Sequence, residues 1–364
     1  MTAPTPREGI LDIKPYVPGK SGDDDDTRPV IKLSSNESAL GPSRHAIEAA
    51  KAAAETMVRY PDGSSTELRE AIGKRWDLDP DRIICGCGSD ELLESLPQVY
   101  TTVGDEVLYS QYGFAVYPIA TRAAGATPVT APEGDYRTDV DAMLAAVTER
   151  TKLVFLANPN NPTGSYTPAD EVRRLRDGLP GHVLLVIDSA YAEFVSRDDY
   201  SDGAELVHDS DNTVMTRTFS KIYSLAGLRI GWLYGPANVI DAMNRVRAPF
   251  NVNSIALAAA TAAIADEDHV VRAREHNDGW LPRLTQSLRG MGLIVHDSVV
   301  NFLLVRFPGG ADQAQAAERY LAERRIFVRN LNAYGIPDGL RINIGLDHEM
   351  AALTDALGAF MEQS

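Results

Sequence analysis

From about Pro42 onward, short apolar runs alternate with stretches of helical spacing. Apolar residues recur every three or four positions at Ala46, Ala50 and Ala54, which predicts an amphipathic helix. The apolar runs are short and rich in Val, Ile and Leu, as buried parallel strands are. They lie at Arg82–Cys85, Glu106–Tyr109, Lys152–Leu156, His182–Ile187, Asn212–Thr216 and Ile230–Tyr234. Strands separated by helices predict an α/β domain whose mostly parallel sheet is covered by helices on both faces.

The pattern changes at both ends of this region. After Pro249, two helices rich in alanine and charge cover about 253–290. Short strands follow near 292–296, 301–306, 326–329 and 340–344, with helices near 312–323 and 347–361. The first thirty-odd residues hold five prolines and the acidic run Asp23–Asp26, which predicts an irregular arm with a solvated loop. We therefore expect an N-terminal arm (1–40), a large domain (41–248) and a small α+β domain (249–364).

Charge and cysteine usage narrow the possible partners and location. The 364 residues include 51 Asp+Glu against 35 Lys+Arg, a net charge of −16 that repels nucleic acid and anionic lipid. The longest apolar run, Ile255–Ala265, is shorter than the roughly 17–25 residues that a bilayer requires. Cys85 and Cys87 cannot support a disulfide framework, and the N-terminus lacks the apolar core of a secretory signal. A cytoplasmic protein that binds neither nucleic acid nor membrane is expected.

Several common functional motifs are incomplete or absent in this sequence. Gly86-Cys-Gly88 begins like a dinucleotide-binding turn, but Glu91 stands where the third glycine belongs. Gly19-Lys-Ser21 lacks the earlier glycine of a P-loop, because that position is Lys14. No two histidines are spaced as a helical metal pair, and no Gly-x-Ser-x-Gly elbow occurs. Nucleotide, metal and serine-hydrolase chemistry are therefore disfavoured, and no metal site is predicted.

Four polar motifs follow predicted buried strands, where open α/β sheets bind their ligands. In the first, Asn158–Gly164, two X-Pro steps aim Asn160 or Asn161 at a defined point, although a well-made loop is an equal alternative. In the second, Asp188 ends the apolar run Val183–Ile187, with Tyr191 three residues on. An aspartate at this position can also be a simple helix N-cap.

The third and fourth motifs carry cationic groups. Lys221 ends Thr218-Phe-Ser-Lys221, and apolar neighbours would desolvate its amine, lower its pKa and make it nucleophilic. A surface lysine is the alternative. Eight residues on, Arg229 lies between glycines that allow a close backbone approach, and its planar guanidinium suits a phosphate.

In this order the four motifs resemble the aspartate aminotransferase superfamily, the fold type I enzymes that use pyridoxal 5′-phosphate (PLP), from about residue 30 to the C-terminus. The resemblance implies that Lys221 forms the Schiff base with the cofactor aldehyde and later moves a proton. Asp188 would pair with the pyridinium nitrogen, while Asn161 and Tyr191 would hydrogen-bond the ring's 3′-oxygen. The residues implied to hold the phosphate are Thr218, Ser220 and Arg229.

The resemblance extends to three further places. Gly88, Ser89 and Asp90 precede a helical segment whose first backbone N–H groups would bind the phosphate. Tyr112 matches the aromatic residue that stacks on the cofactor ring, although a core tyrosine is the alternative. Tyr60, in Arg59-Tyr-Pro61, matches a tyrosine that reaches the phosphate of the neighbouring subunit. This implies a homodimer with shared active sites.

Within the superfamily, the segments Asp12–Lys20 and Leu33–Glu37 resemble the histidinol-phosphate aminotransferase family. That resemblance implies amino transfer between L-histidinol phosphate and the 2-oxo acid 2-oxoglutarate, in histidine biosynthesis. Tyr16, Arg329 and Arg341 would contact the substrate phosphate, with Asn161 beside them, and the two arginines would also bind the carboxylates of glutamate. A surface salt-bridge pair is the alternative for the arginines.

Related activities stay open at this point. Aromatic amino-acid aminotransferases and threonine-phosphate decarboxylases share most of these motifs, and a pocket for imidazole also accepts phenyl. A ligand sensor built on the same fold is a hypothesis from another class. It would carry a DNA-binding domain, and only about forty acidic, proline-rich residues precede the fold here.

Overall fold

The computed structural model describes residues 3–20, 22 and 28–363; the run Asp23–Asp26 lies outside the described residues. The helices are α1 Arg44–Ala54, α2 Thr66–Trp76, α3 Gly88–Tyr100, α4 Val116–Ala124, α5 Val140–Ala145, α6 Ala169–Gly178, α7 Ala204–His208, α8 Ala237–Val246, α9 Ser254–Ala265, α10 Glu267–Gly290, α11 Gly310–Glu323 and α12 Asp347–Met361. The strands are β1 Ile31–Leu33, β2 Ile83–Gly86, β3 Glu106–Ser110, β4 Thr127–Ala131, β5 Glu133–Gly134, β6 Arg137–Thr138, β7 Thr151–Ala157, β8 Leu184–Asp188, β9 Thr213–Thr218, β10 Gly231–Tyr234, β11 Ile294–Val295, β12 Phe302–Arg306, β13 Ile326–Leu331 and β14 Ile336–Asn343.

A seven-stranded sheet forms the centre of the molecule, in the order β2-β10-β9-β8-β7-β3-β4. Strand β10 is antiparallel to both of its neighbours, and the other pairings are parallel. All six predicted strands belong to this sheet, so the prediction of an α/β fold is confirmed. Strand β4 was not predicted, because its Thr-Pro-Val-Thr-Ala sequence is half-exposed at the sheet edge and gives no apolar run.

The register of this sheet places two of the predicted polar motifs side by side. Strands β8 and β9 are adjacent and parallel, and Asp188 lies opposite Thr216. Every residue of β8 and β9 is buried, as expected for central strands that are covered on both faces. Asp188 ends β8, and Lys221 follows β9 by three residues. The carboxylate and the amine therefore lie at the same edge of the sheet.

A five-stranded sheet, in the order β1-β13-β14-β12-β11, lies in the C-terminal part of the chain. Its edge strand β1 comes from the segment predicted as an irregular arm, and it pairs in parallel with β13. Strand β14 starts at Ile336, four residues before the predicted strand, and it is antiparallel to β13 with Arg329 opposite Arg341. The two arginines therefore lie on adjacent strands.

Side-chain caps explain several helix boundaries. The side chains of Ser43 and Asn253 accept hydrogen bonds from the backbone at the starts of α1 and α9. Asp266 ends α9 and caps α10 by accepting from the His269 N–H, which divides the predicted helical region into two helices. None of the helices within the described residues combines the length and the apolar character that crossing a membrane requires.

Candidate active site

A cavity of about 260 Å³ opens at the carboxyl ends of β8 and β9, and residues near β1 and in β14 complete its wall. Most of the predicted site residues line this cavity. They are Tyr16, Ser89, Asp90, Asn161, Asp188, Tyr191, Thr218, Ser220, Lys221, Arg229 and Arg341. Residues separated by more than 300 positions in the chain thus face one space.

Asp188 is a buried carboxylate held by two hydroxyl groups. Tyr117 Oη donates to Asp188 Oδ2 over 2.8 Å, and Thr216 Oγ1 donates to Oδ1 over 3.1 Å. Burial raises the pKa of Asp188 to about 6, and the two hydrogen bonds oppose that rise. A carboxylate in this position favours a neighbouring cation. Neither Tyr117 nor Thr216 was identified from the sequence, because nothing local marks a helical tyrosine or a strand threonine as its partner.

Lys221 lies in the loop after β9, and its Nζ is 5.5 Å from the ring centroid of Tyr191. Burial lowers the pKa of the Lys221 amine to about 8, and the positive charge of Arg341 adds to that lowering. A larger fraction of the amine is therefore neutral at physiological pH than for an exposed lysine, and the neutral amine is the nucleophilic form.

The start of α3 packs closely against Arg229. Gly88 has a left-handed backbone (φ +81°), and a Cβ there would lie 2.4 Å from Nη2 of Arg229. The guanidinium donates to Ser220 Oγ over 3.3 Å and to Asp90 Oδ2 over 3.0 Å. At Gly231, a Cβ would lie 2.3 Å from the backbone nitrogen of Ser89. Glycine at both positions therefore lets the start of α3, Arg229 and β10 pack closely together.

The hydroxyl residues before the lysine also turn toward this space. Thr218 and Ser220 both line the cavity, and Thr218 Oγ1 accepts from the backbone N–H of Ser220 over 3.1 Å. Together with Arg229 and the start of α3, they form a polar end of the cavity that suits a phosphate group.

Asn161 and Arg341 meet across the cavity. Arg341 is buried; its Nη1 donates to Asn161 Oδ1 over 2.5 Å and its Nη2 donates to the carbonyl of Ser34 over 2.9 Å. Its Nε has no partner within the described ranges. Asn160 points elsewhere and donates to the carbonyl of Tyr112 and to Thr163. Of the two asparagines left open by the sequence, Asn161 faces the cavity.

Four predicted residues do not line the cavity: Gly88, Tyr112, Tyr60 and Arg329. The Tyr112 ring stacks on Tyr136 with centroids 5.0 Å apart, and Phe114 contributes the nearby aromatic wall instead. Tyr60 is 83% exposed and stacks on Phe250 at 4.8 Å. The guanidinium of Arg329 lies 5.6 Å from the ring centroid of Tyr16, which does line the cavity.

Sequence reasoning also missed Asn36 as a site residue. Asn36 lines the cavity, and its Nδ2 donates to Tyr191 Oη over 2.7 Å. It lies in the segment Leu33–Glu37, which indicates a family resemblance but gives the Asn36 amide no chemical signal of its own. Among the residues in the described ranges, no group of three or more His, Cys, Asp or Glu side chains is arranged to hold a metal ion.

Comparison with known proteins defines the class first. A family model described as aminotransferase class I and II matches residues 28–358, so the cavity belongs to an enzyme of this PLP-dependent class. The chain is 56% identical to histidinol-phosphate aminotransferase of Rhodopseudomonas palustris (strain TIE-1), with all of both chains covered. It is 57% identical to the enzyme of that name from Paramagnetospirillum magneticum, over 99% of this chain and 100% of the relative.

A solved structure agrees with these relatives. Histidinol-phosphate aminotransferase from Sinorhizobium meliloti, crystallised with pyridoxal 5′-phosphate, superposes with a TM-score of 0.92 at 30% identity, covering 100% of this chain and 99% of that one. The chain therefore belongs to the histidinol-phosphate aminotransferase family. The resemblance inferred from the sequence, the fold type I architecture and the PLP cofactor are confirmed.

The residues present fit PLP at each of its three functional groups. Lys221 is a buried amine with a lowered pKa, as a partner for an aldehyde requires. Asp188 is a buried carboxylate within the same cavity, as a protonated ring nitrogen requires. At the start of α3, Ser89 and Asp90 line the cavity beside Arg229, so helix-start N–H groups and a guanidinium are both near a phosphate that binds there. Gly88 lets Arg229 approach the helix start, because a Cβ there would collide with the guanidinium.

Proposed function

We propose that this enzyme transfers the amino group of L-histidinol phosphate to 2-oxoglutarate, giving imidazole-acetol phosphate and glutamate. In this proposal the reaction is a step of histidine biosynthesis and takes place in the cytoplasm. The observation that carries the proposal is the arginine pair on β13 and β14. Arg329 lies opposite Arg341, and the buried guanidinium of Arg341 lines the cavity that holds Lys221. Arg341 in the cavity of the reactive amine, with Arg329 opposite it on the adjacent strand, suits a substrate that carries both an amine and a phosphate. The identity to relatives of that name supports the same substrate.

When bound, PLP supplies an aldehyde that takes up the substrate amine and a ring that accepts the electron pair released at the substrate carbon. In our proposal Lys221 would take the proton from that carbon and deliver it to the C4′ atom of the cofactor. An amine with a pKa of about 8 is suited to both steps near neutral pH, because it gains and loses a proton readily.

Asp188 has an electrostatic role in this proposal. Its carboxylate would keep the ring nitrogen protonated, and the hydrogen bonds from Tyr117 and Thr216 would hold both of its oxygens in place. Asn161 and Tyr191 would contact the ring's 3′-oxygen. Gly88, Ser89, Asp90, Thr218, Ser220 and Arg229 would hold the phosphate of the cofactor, and Tyr112 stays a prediction for ring stacking.

The substrate anion would bind at the other end of the cavity. Burial lowers the pKa of Arg341 from its ordinary value, and the neighbouring charge of Arg329 adds to that lowering. An anion that approaches both guanidinium groups relieves this repulsion. Tyr16, whose ring lies beside Arg329, and Asn161, which accepts from Arg341, would complete the contacts.

The direct test compares three amines with 2-oxoglutarate as the acceptor. We expect kcat/KM for L-histidinol phosphate to exceed that for phenylalanine and tyrosine by about 100-fold or more, because only the first can place a phosphate on the arginines. Steady-state rates with each amine give this ratio. Equal or higher values with phenylalanine or tyrosine would favour an aromatic amino-acid aminotransferase instead.

Arg341→Ala should raise KM for both L-histidinol phosphate and glutamate by roughly 10- to 100-fold, since one guanidinium serves both anions in turn. Steady-state kinetics of the forward and reverse reactions measure the two effects. Arg324→Ala is the matched control, because Arg324 is an exposed cation whose guanidinium lies 3.4 Å from the ring centroid of Tyr320. If KM rises for only one substrate, the two anions do not share this site.

We also propose a homodimer in which Tyr60 reaches the phosphate site of the partner. Tyr60 and Phe250 stack as an exposed aromatic pair, and exposed apolar pairs of this kind are typical of interfaces. Hybrid dimers of Lys221→Ala and Tyr60→Ala chains should then regain one intact site.

Random mixing of the two inactive chains should restore about a quarter of the parental activity, because half of the dimers are hybrid and each hybrid has one good site. The assay is run at a cofactor concentration that leaves Tyr60→Ala inactive. The control mixes Lys221→Ala with Asp188→Asn. Lys221 and Asp188 line the same cavity of one chain, so each subunit supplies both residues to its own site. Here each hybrid site keeps one defect and no activity returns. Equal results from both mixtures would contradict a shared site.

A further inference from the structure

Asn36 has a buried side-chain amide whose nitrogen is hydrogen-bonded and whose oxygen is not. It is 1% exposed, it lines the cavity, and its Nδ2 donates to Tyr191 Oη over 2.7 Å. Within the described part of the chain, its Oδ1 has no hydrogen-bond partner. A buried amide oxygen that is left unpaired destabilises the folded state, so the position of Asn36 is not explained by stability alone.

The backbone around Asn36 holds this amide in a defined direction. Asn36 has a left-handed conformation (φ +57°), which asparagine tolerates better than most residues. Asn301 Nδ2 donates to the carbonyl oxygens of Asn36 and Glu37, both over 3.2 Å. Asn301 directly precedes β12, and its carbonyl accepts from the Ile344 N–H over 2.9 Å. The five-stranded sheet therefore orients an amide that contacts Tyr191.

The direction of the hydrogen bond decides what Tyr191 can do. A phenol has one proton to donate, and its oxygen can also accept. Because Asn36 donates to the Tyr191 oxygen, the Tyr191 proton stays available for a different acceptor. We propose that Asn36 is a positioning residue that fixes the Tyr191 hydroxyl as a hydrogen-bond donor toward the 3′-oxygen of the bound cofactor. This inference rests on the proposed contact between Tyr191 and that oxygen.

A donor at the 3′-oxygen stabilises the anionic form of that oxygen. Loss of the donor should therefore raise the pH midpoint at which the bound cofactor changes its visible absorbance. This midpoint is measured by spectrophotometric titration of the holoenzyme, and it reports on Tyr191 independently of turnover.

Asn36→Gly removes the amide and keeps the left-handed backbone without steric cost. We expect the midpoint to rise by about 0.5–1 pH unit, as in Tyr191→Phe, because the Tyr191 hydroxyl then loses its fixed direction. In the double variant Asn36→Gly/Tyr191→Phe the midpoint should be no higher than in Tyr191→Phe alone. Asn212→Gly is the control, since the Asn212 amide donates to the Val183 carbonyl, away from the cavity, and leaves the midpoint unchanged.

The possible failures are distinguishable. A midpoint that shifts in Tyr191→Phe but not in Asn36→Gly overturns the role of Asn36 and leaves the proposed function standing. A shift from Asn36→Gly that persists in full without the Tyr191 hydroxyl also overturns it. No shift in Tyr191→Phe removes the contact on which the inference rests, whereas the reaction itself is judged by the amine comparison. If Asn36→Gly does not fold, Asn36→Asp serves in the same cycle, because its carboxylate would accept the Tyr191 proton.

Discussion

Lys221→Ala should lower kcat for amino transfer by at least about 10⁴-fold while the fold is kept. Two functions are lost together: the amine that bonds to the cofactor and the base that moves the proton. The loss should be visible in each half-reaction, with L-histidinol phosphate and with glutamate. Stopped-flow absorbance of the cofactor measures both half-reactions separately.

Lys152→Ala is the matched control for Lys221→Ala. Lys152 lies on β7, two strands from β9 in the same sheet, where its amine faces Asp105 at 3.9 Å and does not line the cavity. We expect this control to keep parental turnover. Borohydride reduction followed by peptide mapping should attach the chromophore to the peptide that contains Lys221. A chromophore on another lysine, or unimpaired turnover in Lys221→Ala, would remove Lys221 from the mechanism.

Asp188→Asn should lower kcat by roughly 10³-fold, equivalent to about 4 kcal/mol of barrier. Asparagine keeps the size of the side chain and can still bond with Tyr117 and Thr216, so the lost feature is the negative charge. Without that charge the ring nitrogen loses its proton more easily, and the ring accepts electrons less well. Steady-state turnover with saturating substrates measures the effect, and a kcat close to the parental value would contradict the electrostatic role.

The same substitution should stabilise the cofactor-free protein at neutral pH. Burial raises the pKa of Asp188 from 3.8 to about 6, so between these values the folded state holds a proton that the unfolded state has released. The contribution of this carboxyl to stability is therefore present below pH 3.8 and is lost as the pH rises to 6. Asparagine does not titrate.

Relative to the parent protein, the free energy of unfolding of Asp188→Asn should consequently increase by up to about 3 kcal/mol between pH 4 and pH 7. Urea unfolding of both proteins, stripped of cofactor, at a series of pH values measures this difference. A difference that does not change with pH would show that the carboxyl is ionised equally in the folded and unfolded states. Low activity with a more stable fold would separate a chemical role of Asp188 from damage to the structure.

The sequence predicts some strands and site residues of this protein and not others. The central strands were predictable because each is a short apolar run between helices, whereas β4 and the edge strand β1 were not, since neither has that pattern. The site residues found from the sequence are those at strand ends, such as Asp188 and Lys221. Tyr117, which contacts Asp188, lies in a helix, and Asn36, which contacts Tyr191, lies in a loop. The chain shows no unusual pattern at either position.

The amino-acid sequence by itself determined the α/β architecture, the PLP-binding motifs and the family, because the spacing of apolar residues and the order of the motifs can be read directly from the sequence. The tertiary structure decided which side chains touch. Asn161 meets Arg341 across 180 positions, Asn36 meets Tyr191 across 155, and Tyr117 meets Asp188 across 71. Such contacts depend on strand order and on the packing of two sheets around one cavity. The pattern of apolar and polar residues along the chain does not predict these contacts, because hydrophobic burial selects a face of each element but not the residue opposite it.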